Sequence, residues 1–442
     1  MSTASLATRE APNPWWVGFV SGLASYIDAC AIVFSGIAFV IYRHTIGLTD
    51  GQYGALSGAL TFSIAVGALF GGRLGDRFGR KHVFSVTMVL IVIGAVTQVL
   101  AGAFLPLLAG TILVGLGTGA DLPVSLATIA ESADDDNRGK IIVFSNILWV
   151  VGILGAIIAS SIVGNWGRLG GQIMFAHVGA VALVTLLLRL TIPESEAWKK
   201  ARAERAAGIG TVRAERTSVA DLLHQPYTKP FVALIFFYAL VNIAANTGGQ
   251  FLTGIAVDIV GLDVAFWSRV SLIMMPLGFI WAFWAMRVID TPKRMPYFYI
   301  GAALFLVSIA MYPVFGFHLW TLVTAQLING VGSAFAFEGI MKVWTQESFP
   351  TLLRTTAQGS IIAVARVVAA VVATFTPTLL FANPRGFYAG LFVAVAIGYA
   401  FAVWGFHGKQ RNEFAVEVHD EADVAAAEEA GLDFTVAARP KA

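Results

Sequence analysis

Long apolar stretches alternate with short polar breaks along the whole chain. Twelve stretches are long enough to cross a bilayer as helices, which takes about 20 mostly apolar residues each. They cover residues 16–41, 53–72, 83–103, 106–130, 141–163, 170–192, 230–254, 266–286, 296–315, 318–342, 357–381 and 386–407. Runs of this length far exceed the ~10 residues of a barrel strand, so the pattern predicts helices and not strands.

Composition turns this pattern into a class. Of the 442 residues, 57% are hydrophobic and 13% charged, and the mean hydropathy is +0.75. Folded soluble proteins need more polar surface than this to cover a core. A soluble enzyme, a disordered protein and a nucleic-acid binder are therefore excluded, and a polytopic membrane protein remains. The net charge of +2 implies no polyanion partner. The one cysteine, Cys30, lies in an apolar run and has no second cysteine to pair with. Residues 1–15 carry no basic segment followed by a cleavable apolar core, so they read as a tail and not a signal peptide.

Charge orients the spans. The even-numbered connections (2–3, 4–5, 6–7, 8–9 and 10–11) hold seventeen Lys and Arg, and the odd-numbered ones hold four: Arg43, Arg168, Arg269 and Arg385. Basic residues stay on the cytoplasmic side, so both termini are expected there, in the cell membrane. Residues 194–229 are charged and Ala-rich, and read as a cytoplasmic linker of one or two surface helices between bundles 16–193 and 230–407. The segment 408–442 reads as an acidic cytoplasmic tail.

The two halves repeat each other. Arg73-x-x-Asp76-x-x-x-Arg80 recurs as Arg287-x-x-Asp290-x-x-x-Arg294, Glu131-x6-Arg138 as Glu347-x6-Arg354, and Gly115-x-Gly117 as Gly330-x-Gly332. The offsets are 214, 216 and 215 residues, at equivalent topological places, which argues for duplication. The expected fold class is an all-α membrane protein of twelve transmembrane helices in two pseudo-symmetric six-helix bundles, a transporter design. The repeated charges, with Arg77, are candidate gates that latch the even-numbered face and break as it opens. The alternative is ordinary surface ion pairs, each worth about 0–1 kcal/mol.

Gly71-Gly-Arg-Leu-Gly-Asp76-Arg-Phe-Gly-Arg-Lys81 resembles the loop 2–3 signature of the major facilitator superfamily. Arg138-Gly-Lys, Pro193-Glu-Ser and Glu347-Ser-Phe-Pro-Thr-Leu-Leu-Arg354 resemble its sugar-porter branch and the metabolite/proton symporters. The resemblance covers about residues 16–407 and implies a central cavity with rocking alternating access. Other motifs depart from the sugar porters. The first turns of span 4 lack an arginine, and span 7 reads Asn242-Ile-Ala-Ala-Asn246-Thr-Gly-Gly-Gln250 in place of a paired-glutamine signature. Gly117-Thr-Gly-Ala-Asp121-Leu-Pro and Ala365-Arg366…Pro377 look like the phosphate and organic-acid relatives.

Ionisable residues inside spans are costly and usually functional. Asp28, near the middle of span 1, and Asp121, in span 4, are the candidate proton carriers; the resemblance places the symporters' acid in this part of span 1. No arginine in that half's membrane core is expected to pair with them. Glu338, a further candidate substrate contact, and Lys342 stand at i, i+4 in span 10. Arg366 in span 11 either pairs with Glu338 or presents charge to an anionic substrate. Asn242, Asn246 and Gln250 recur every four residues on one face of span 7, and with Trp149, Gln326 and Asn329 are candidate substrate contacts, by hydrogen bonding and by stacking. His44 and His177 read as structural hydrogen-bonders.

The leading reading is a secondary transporter importing a small polar metabolite, a sugar or polyol, with a proton. Uptake of an organic anion (a sugar acid or an aromatic carboxylate) is the alternative, and a drug/proton exporter a weaker one, since span 5 lacks the proline-rich efflux signature. No catalytic constellation, metal cluster, cofactor motif or Walker sequence is present to suggest an enzyme or an ATP-driven pump. The expected partners are a small-molecule substrate, a proton and the lipid bilayer, with the protein as a monomer.

Overall fold

The computed structural model describes residues 13–132, 138–195, 199, 222–289, 291–349 and 351–408, excepting the side chains of a few residues mostly near helix ends. The helices run α1 (Pro14–Ile46), α2 (Asp50–Phe78), α3 (Arg80–Leu100), α4 (Phe104–Ser132), α5 (Arg138–Val163) and α6 (Arg168–Arg189) in the first half. The second half holds α7 (Thr228–Gly254), α8 (Val264–Val288), α9 (Arg294–Phe315), α10a (Leu319–Ala336), α10b (Glu338–Ser348), α11 (Thr351–Ala382) and α12 (Pro384–Phe406). Among the described residues eleven helices are long and apolar enough to cross a membrane, and Ile147–Val163 of α5 is a shorter apolar stretch. The protein is a multi-pass membrane protein. The surface helices expected in 194–229 and the acidic tail lie mostly outside the described residues.

Capping fixes where the spans begin. Asn13 accepts from the Trp15 N–H ahead of Pro14, which suits the first helical turn because it lacks an N–H. Thr49 and Gln52 form a capping box at the start of α2. Glycine at position 47, with φ of 69°, ends α1 in the left-handed conformation and allows the tight return. Asp263 caps α8 and Asn383 caps α12. The N-cap residue of α3 makes no side-chain cap; instead the Glu194 carboxylate, after α6, accepts from the backbone N–H groups of Arg80 (2.8 Å) and Lys81 (3.2 Å). A carboxylate there also meets the positive end of the helix dipole.

The packing scheme repeats with the sequence. In the first half α1 packs on α5 and α6, α4 on α2 and α3, and α3 on α6. The second half mirrors this, with α7 on α11 and α12, α10a on α8 and α9, and α9 on α12. The halves meet where α2 packs on α11, α5 on α8 and α1 on α7. Gly117 sets α4 against α3 and Gly332 sets α10a against α9, because a Cβ at either position would lie within 3 Å of the neighbouring backbone.

Two spans depart from a single straight helix. Span 7 runs on as a π-helical turn, Ile255–Ile259. Span 10 breaks at Phe337, whose backbone is non-helical (φ −130°, ψ −120°) and whose ring stacks on Tyr238 at 5.5 Å. The break makes Glu338 the first residue of a new helix, where a carboxylate is favoured by the dipole.

Candidate functional site

Asp28 lies in the middle of α1 and is 3% exposed. Helix α5 comes close enough to serve it because Gly152 meets the α1 backbone: a Cβ there would fall 2.6 Å from the Tyr26 carbonyl oxygen. At the same level the Cys30 thiol donates to the Gly152 carbonyl (3.2 Å). On α5, about one turn before Gly152, the Trp149 indole N–H donates to Asp28 Oδ2 at 3.2 Å. Asp28 Oδ1 is buried with no hydrogen-bond partner among the described residues. Arg366, half-buried on α11 of the other half, is the cation whose charge acts on Asp28.

The second half supplies a polar wall. Glu338 pairs with Lys342 at 2.7 Å, and both side chains are about half exposed. This replaces the Glu338–Arg366 pair open from the sequence; no carboxylate among the described residues lies within ion-pair distance of Arg366. The charges of Glu338 and Arg366 both reach Tyr238 of α7. Asn242 and Asn246 are half-buried on α7. Gln250, at the end of the same strip, is buried and donates to Asn246 and to Thr61 of α2, both at 2.8 Å, so it ties the halves together. Asn329 donates to Ser308 of α9 (3.3 Å), and Gln326 is half-buried on α10a.

Asp121 is placed differently from its expectation. Arg189, in the last turn of α6, grips it with two N–H groups at 2.5 and 2.9 Å, both side chains being almost fully buried. Thr87 donates to the same carboxylate, Arg189 also bonds Ser125, and the guanidinium lies 3.8 Å over the Phe84 ring. The expectation that this half holds no arginine for these acids is corrected: Arg189 falls inside the stretch 170–192 and reaches back because it ends that helix. Asp121 therefore holds α3, α4 and α6 together.

Cross-half polar contacts gather on the odd-numbered face. Arg43 of α1 binds Asp258 (2.6 Å), in the π-helical turn, and Asp50 of α2 (2.5 Å). His44 bonds the other Asp258 oxygen at 2.6 Å. Asn165 donates to Asp263 at 3.0 Å and accepts from the Ala265 N–H. None of Arg43, Asp50, Asp258 and Asp263 was singled out as a site from the sequence. The one available signal was a basic residue ending span 1, on the charge-poor face, with acids in the adjoining turns. His177 bonds the Tyr26 hydroxyl at 2.9 Å.

On the even-numbered face Arg294 binds Glu347 at 2.7 Å, one of the duplicated pairs. Arg77 and Arg287 are exposed, and Arg77 lies over Phe78 at 5.3 Å. The backbone N–H of Arg80 meets Glu194. Side chains of Arg73, Asp76, Glu131, Arg138, Asp290 and Arg354 lie outside the described residues.

The mirrored packing of the two halves agrees with what most of the chain matches. The family model of the Major Facilitator Superfamily covers residues 15–377. The chain belongs to that superfamily. Among curated relatives it is 32% identical over 394 residues to a minor myo-inositol transporter of Bacillus subtilis, covering 86% of each chain. It is 24% identical to a putative niacin/nicotinamide transporter of the same organism, covering 79% of this chain and 84% of that one. Among solved structures an inward-open xylose transporter of E. coli superposes with a TM-score of 0.71 at 18% identity, covering 92% of this chain and 99% of that one; this likeness speaks to the fold. The protein is thus a transporter of small metabolites and not an enzyme.

Proposed function

We propose that the protein is a proton-coupled importer of a small cyclic polyol of the inositol type, working by alternating access. The observation that carries the reading is Asp28: a buried carboxylate with one unpartnered oxygen, under the charge of Arg366 from the opposite half. An acid at the seam of two moving halves, exposed in turn to each side, loads and releases a proton. A 100 mV potential gives each proton about 2.3 kcal/mol, enough for roughly 50-fold accumulation. The polyol class is supported by the identity with the myo-inositol transporter along most of both chains, and by half-buried amides and an indole, groups that bind hydroxyls and stack on ring faces.

The excess of basic residues on the even-numbered face supports cytoplasmic termini in the cell membrane. On that orientation the Arg43–Asp258 face is external and shut, and the duplicated charges, Arg294 and Glu347 among them, gate the cytoplasmic side. Residues 16–193 and 230–407 are the two moving bundles, 194–229 their linker, and the monomer is the working unit. In this scheme Asp121 serves through Arg189 as a brace.

The test is uptake of myo-inositol into proteoliposomes with an imposed pH gradient. Uphill accumulation is expected with an alkaline interior. Asp28→Asn is expected to abolish it while sparing energy-independent counterflow. Accumulation that ignores the gradient, or survives Asp28→Asn, overturns the proton reading.

A second substrate class has its own observation. Arg366 lacks a carboxylate partner among the described residues, and a guanidinium suits an organic anion. A ligand bound at 100 times its Kd stabilises the fold by about 2.7 kcal/mol. Thermal stabilisation by nicotinate but not by myo-inositol, lost in Arg366→Ala, would replace the polyol by a carboxylate.

A further inference from the structure

Asp28 is buried, whereas the side chain that binds it is not. Trp149 is 39% exposed while its N–H is fixed on the carboxylate 3.2 Å away. The indole therefore keeps open surface of its own while one edge is committed to the acid. We infer that Trp149 is the positioning residue linking proton occupancy of Asp28 to substrate binding: with Asp28 ionised the ring is held, and with Asp28 protonated it is released to re-orient against the ring of the substrate. The inference rests on the assignment of Asp28 as the proton carrier.

The chemistry is asymmetric. An indole N–H donates and cannot accept. Against a carboxylate it makes a charge-assisted bond, and against a neutral carboxyl a bond roughly half as strong. Protonation thus loosens the tie that fixes the ring. A ring free to turn settles wherever a substrate's apolar face gives it the better contact, so proton binding and substrate binding favour each other. Reciprocity follows from linkage: a substrate that draws the indole off Asp28 makes the acid easier to protonate.

The other groups around Asp28 are otherwise engaged or act at a distance. On α1, the Tyr26 hydroxyl is bonded to His177 of α6, and the Cys30 thiol to a carbonyl of α5. On α4, Asp121 is held by Arg189. From α11, Arg366 acts through its charge, and on α7 Tyr238 lies within reach of that same charge. Among the described residues, Trp149 is the side chain that both touches the acid and is exposed.

The test needs no substrate. The protein is labelled with 5-fluorotryptophan, and the 19F resonance of Trp149 is assigned by its loss in Trp149→Phe. That resonance is expected to shift with pH in the wild-type protein and to stay fixed in Asp28→Asn. A resonance that ignores pH in the wild type, where Asp28→Asn abolishes coupled uptake, overturns the inference and leaves Asp28 as carrier. If coupled uptake survives Asp28→Asn, the carrier assignment itself falls.

Transport gives the second readout. Trp149→Phe keeps a ring and deletes the donor. The pH midpoint of uphill uptake is expected to move alkaline by about one unit, since a donor to an ionised group is worth that much, and counterflow of myo-inositol measures any change in binding separately. Trp149→Gln keeps a donor and deletes the ring; its midpoint is expected to stay near the wild type while affinity falls about tenfold or more. A midpoint in Trp149→Phe that matches the wild type overturns the inference as well.

Discussion

Arg43, in the last turn of α1, holds Asp258 of the opposite half at 2.6 Å. The contact depends on the π-helical turn Ile255–Ile259, which carries the acid to the end of α1. Asp258 is 9% exposed in its side chain and accepts from both Arg43 and His44. The Arg43 guanidinium also lies 4.2 Å from the Phe381 ring of α11, so this one side chain of α1 touches α2, the π-helical turn after α7 and α11. Separation of the halves at this face must break the Asp258 bonds to Arg43 and His44 and the Arg43–Phe381 contact, while Arg43–Asp50, within the first half, can persist.

Asp258→Ala should therefore shift the protein toward a state open on this face. A hydrogen bond to a charged group contributes about 1.5–3 kcal/mol, so the closed population should fall by roughly tenfold or more relative to the open one. Spin labels on Thr45 and Val260, in a Cys30→Ser background, would report the distance. A distribution unchanged from the wild type would show that the closure does not depend on this latch. Asp50→Ala, which leaves the Arg43–Asp258 bond, should have the smaller effect.

The Asp121–Arg189 pair predicts a stability pattern. Removing one partner of a buried ion pair strands the other charge and costs about 3–5 kcal/mol, whereas replacing both by apolar groups of similar volume is often neutral. Arg189→Met and Asp121→Leu should each lower the melting temperature sharply, and the double variant should recover much of the loss. Thermal melting in detergent checks the cycle. Single variants as stable as the wild type would remove the structural role assigned here.

The spans were legible because length and apolarity fix them. The duplicated charges were legible as a pattern, and Arg294–Glu347 is one pair they make. Phe337 gave no signal: an aromatic in an apolar run looks helical until Tyr238 is seen stacked on it. Arg189 was visible as a charge near the end of a span, but its partner sits 68 positions earlier in sequence and only packing of α6 on α3 brings them together. Gln250 belonged to a regular strip by spacing, yet its amide reaches Thr61 of the other half. Periodicity gives the face of a helix, and the neighbour on that face comes from the fold.

Asp263 carries a pH dependence. The backbone N–H of Phe266, first, and then the Asn165 amide, bind the ionised carboxylate and hold its pKa below the ordinary aspartate value. A depressed pKa in the folded state stabilises the cap and the cross-half contact above the unfolded value, near pH 4. That contribution is lost as pH falls through the folded value. Asp263→Asn should abolish this acid limb of the stability profile with little change at pH 7, because the carboxylate is exposed and screened. A 13C titration of the Asp263 carboxyl checks the sign directly: a midpoint above the ordinary value would contradict it.

The seam between α2 and α11 offers a steric test of closure. A Cβ at Gly54 would fall 2.0 Å from the Thr374 carbonyl oxygen, a backbone atom that cannot turn aside. A Cβ at Gly58 would fall equally near Thr374 Oγ1, which a rotation about χ1 can move, and 3.0 Å from the Ala370 carbonyl oxygen. Gly51, on the same helix, has nothing within 4 Å of such a Cβ. Gly54→Ala must therefore hold the two helices apart, Gly58→Ala should do so less, and Gly51→Ala should change nothing beyond its gain in helix propensity of roughly 1 kcal/mol. In the proposed alternating-access cycle α2 and α11 part as this face opens, so Gly54→Ala should favour the open state, slow net transport and lengthen the Thr45–Val260 label distance. Equal behaviour of the three variants would mean that the seam yields to a methyl group, and that closure is set by the polar latch instead.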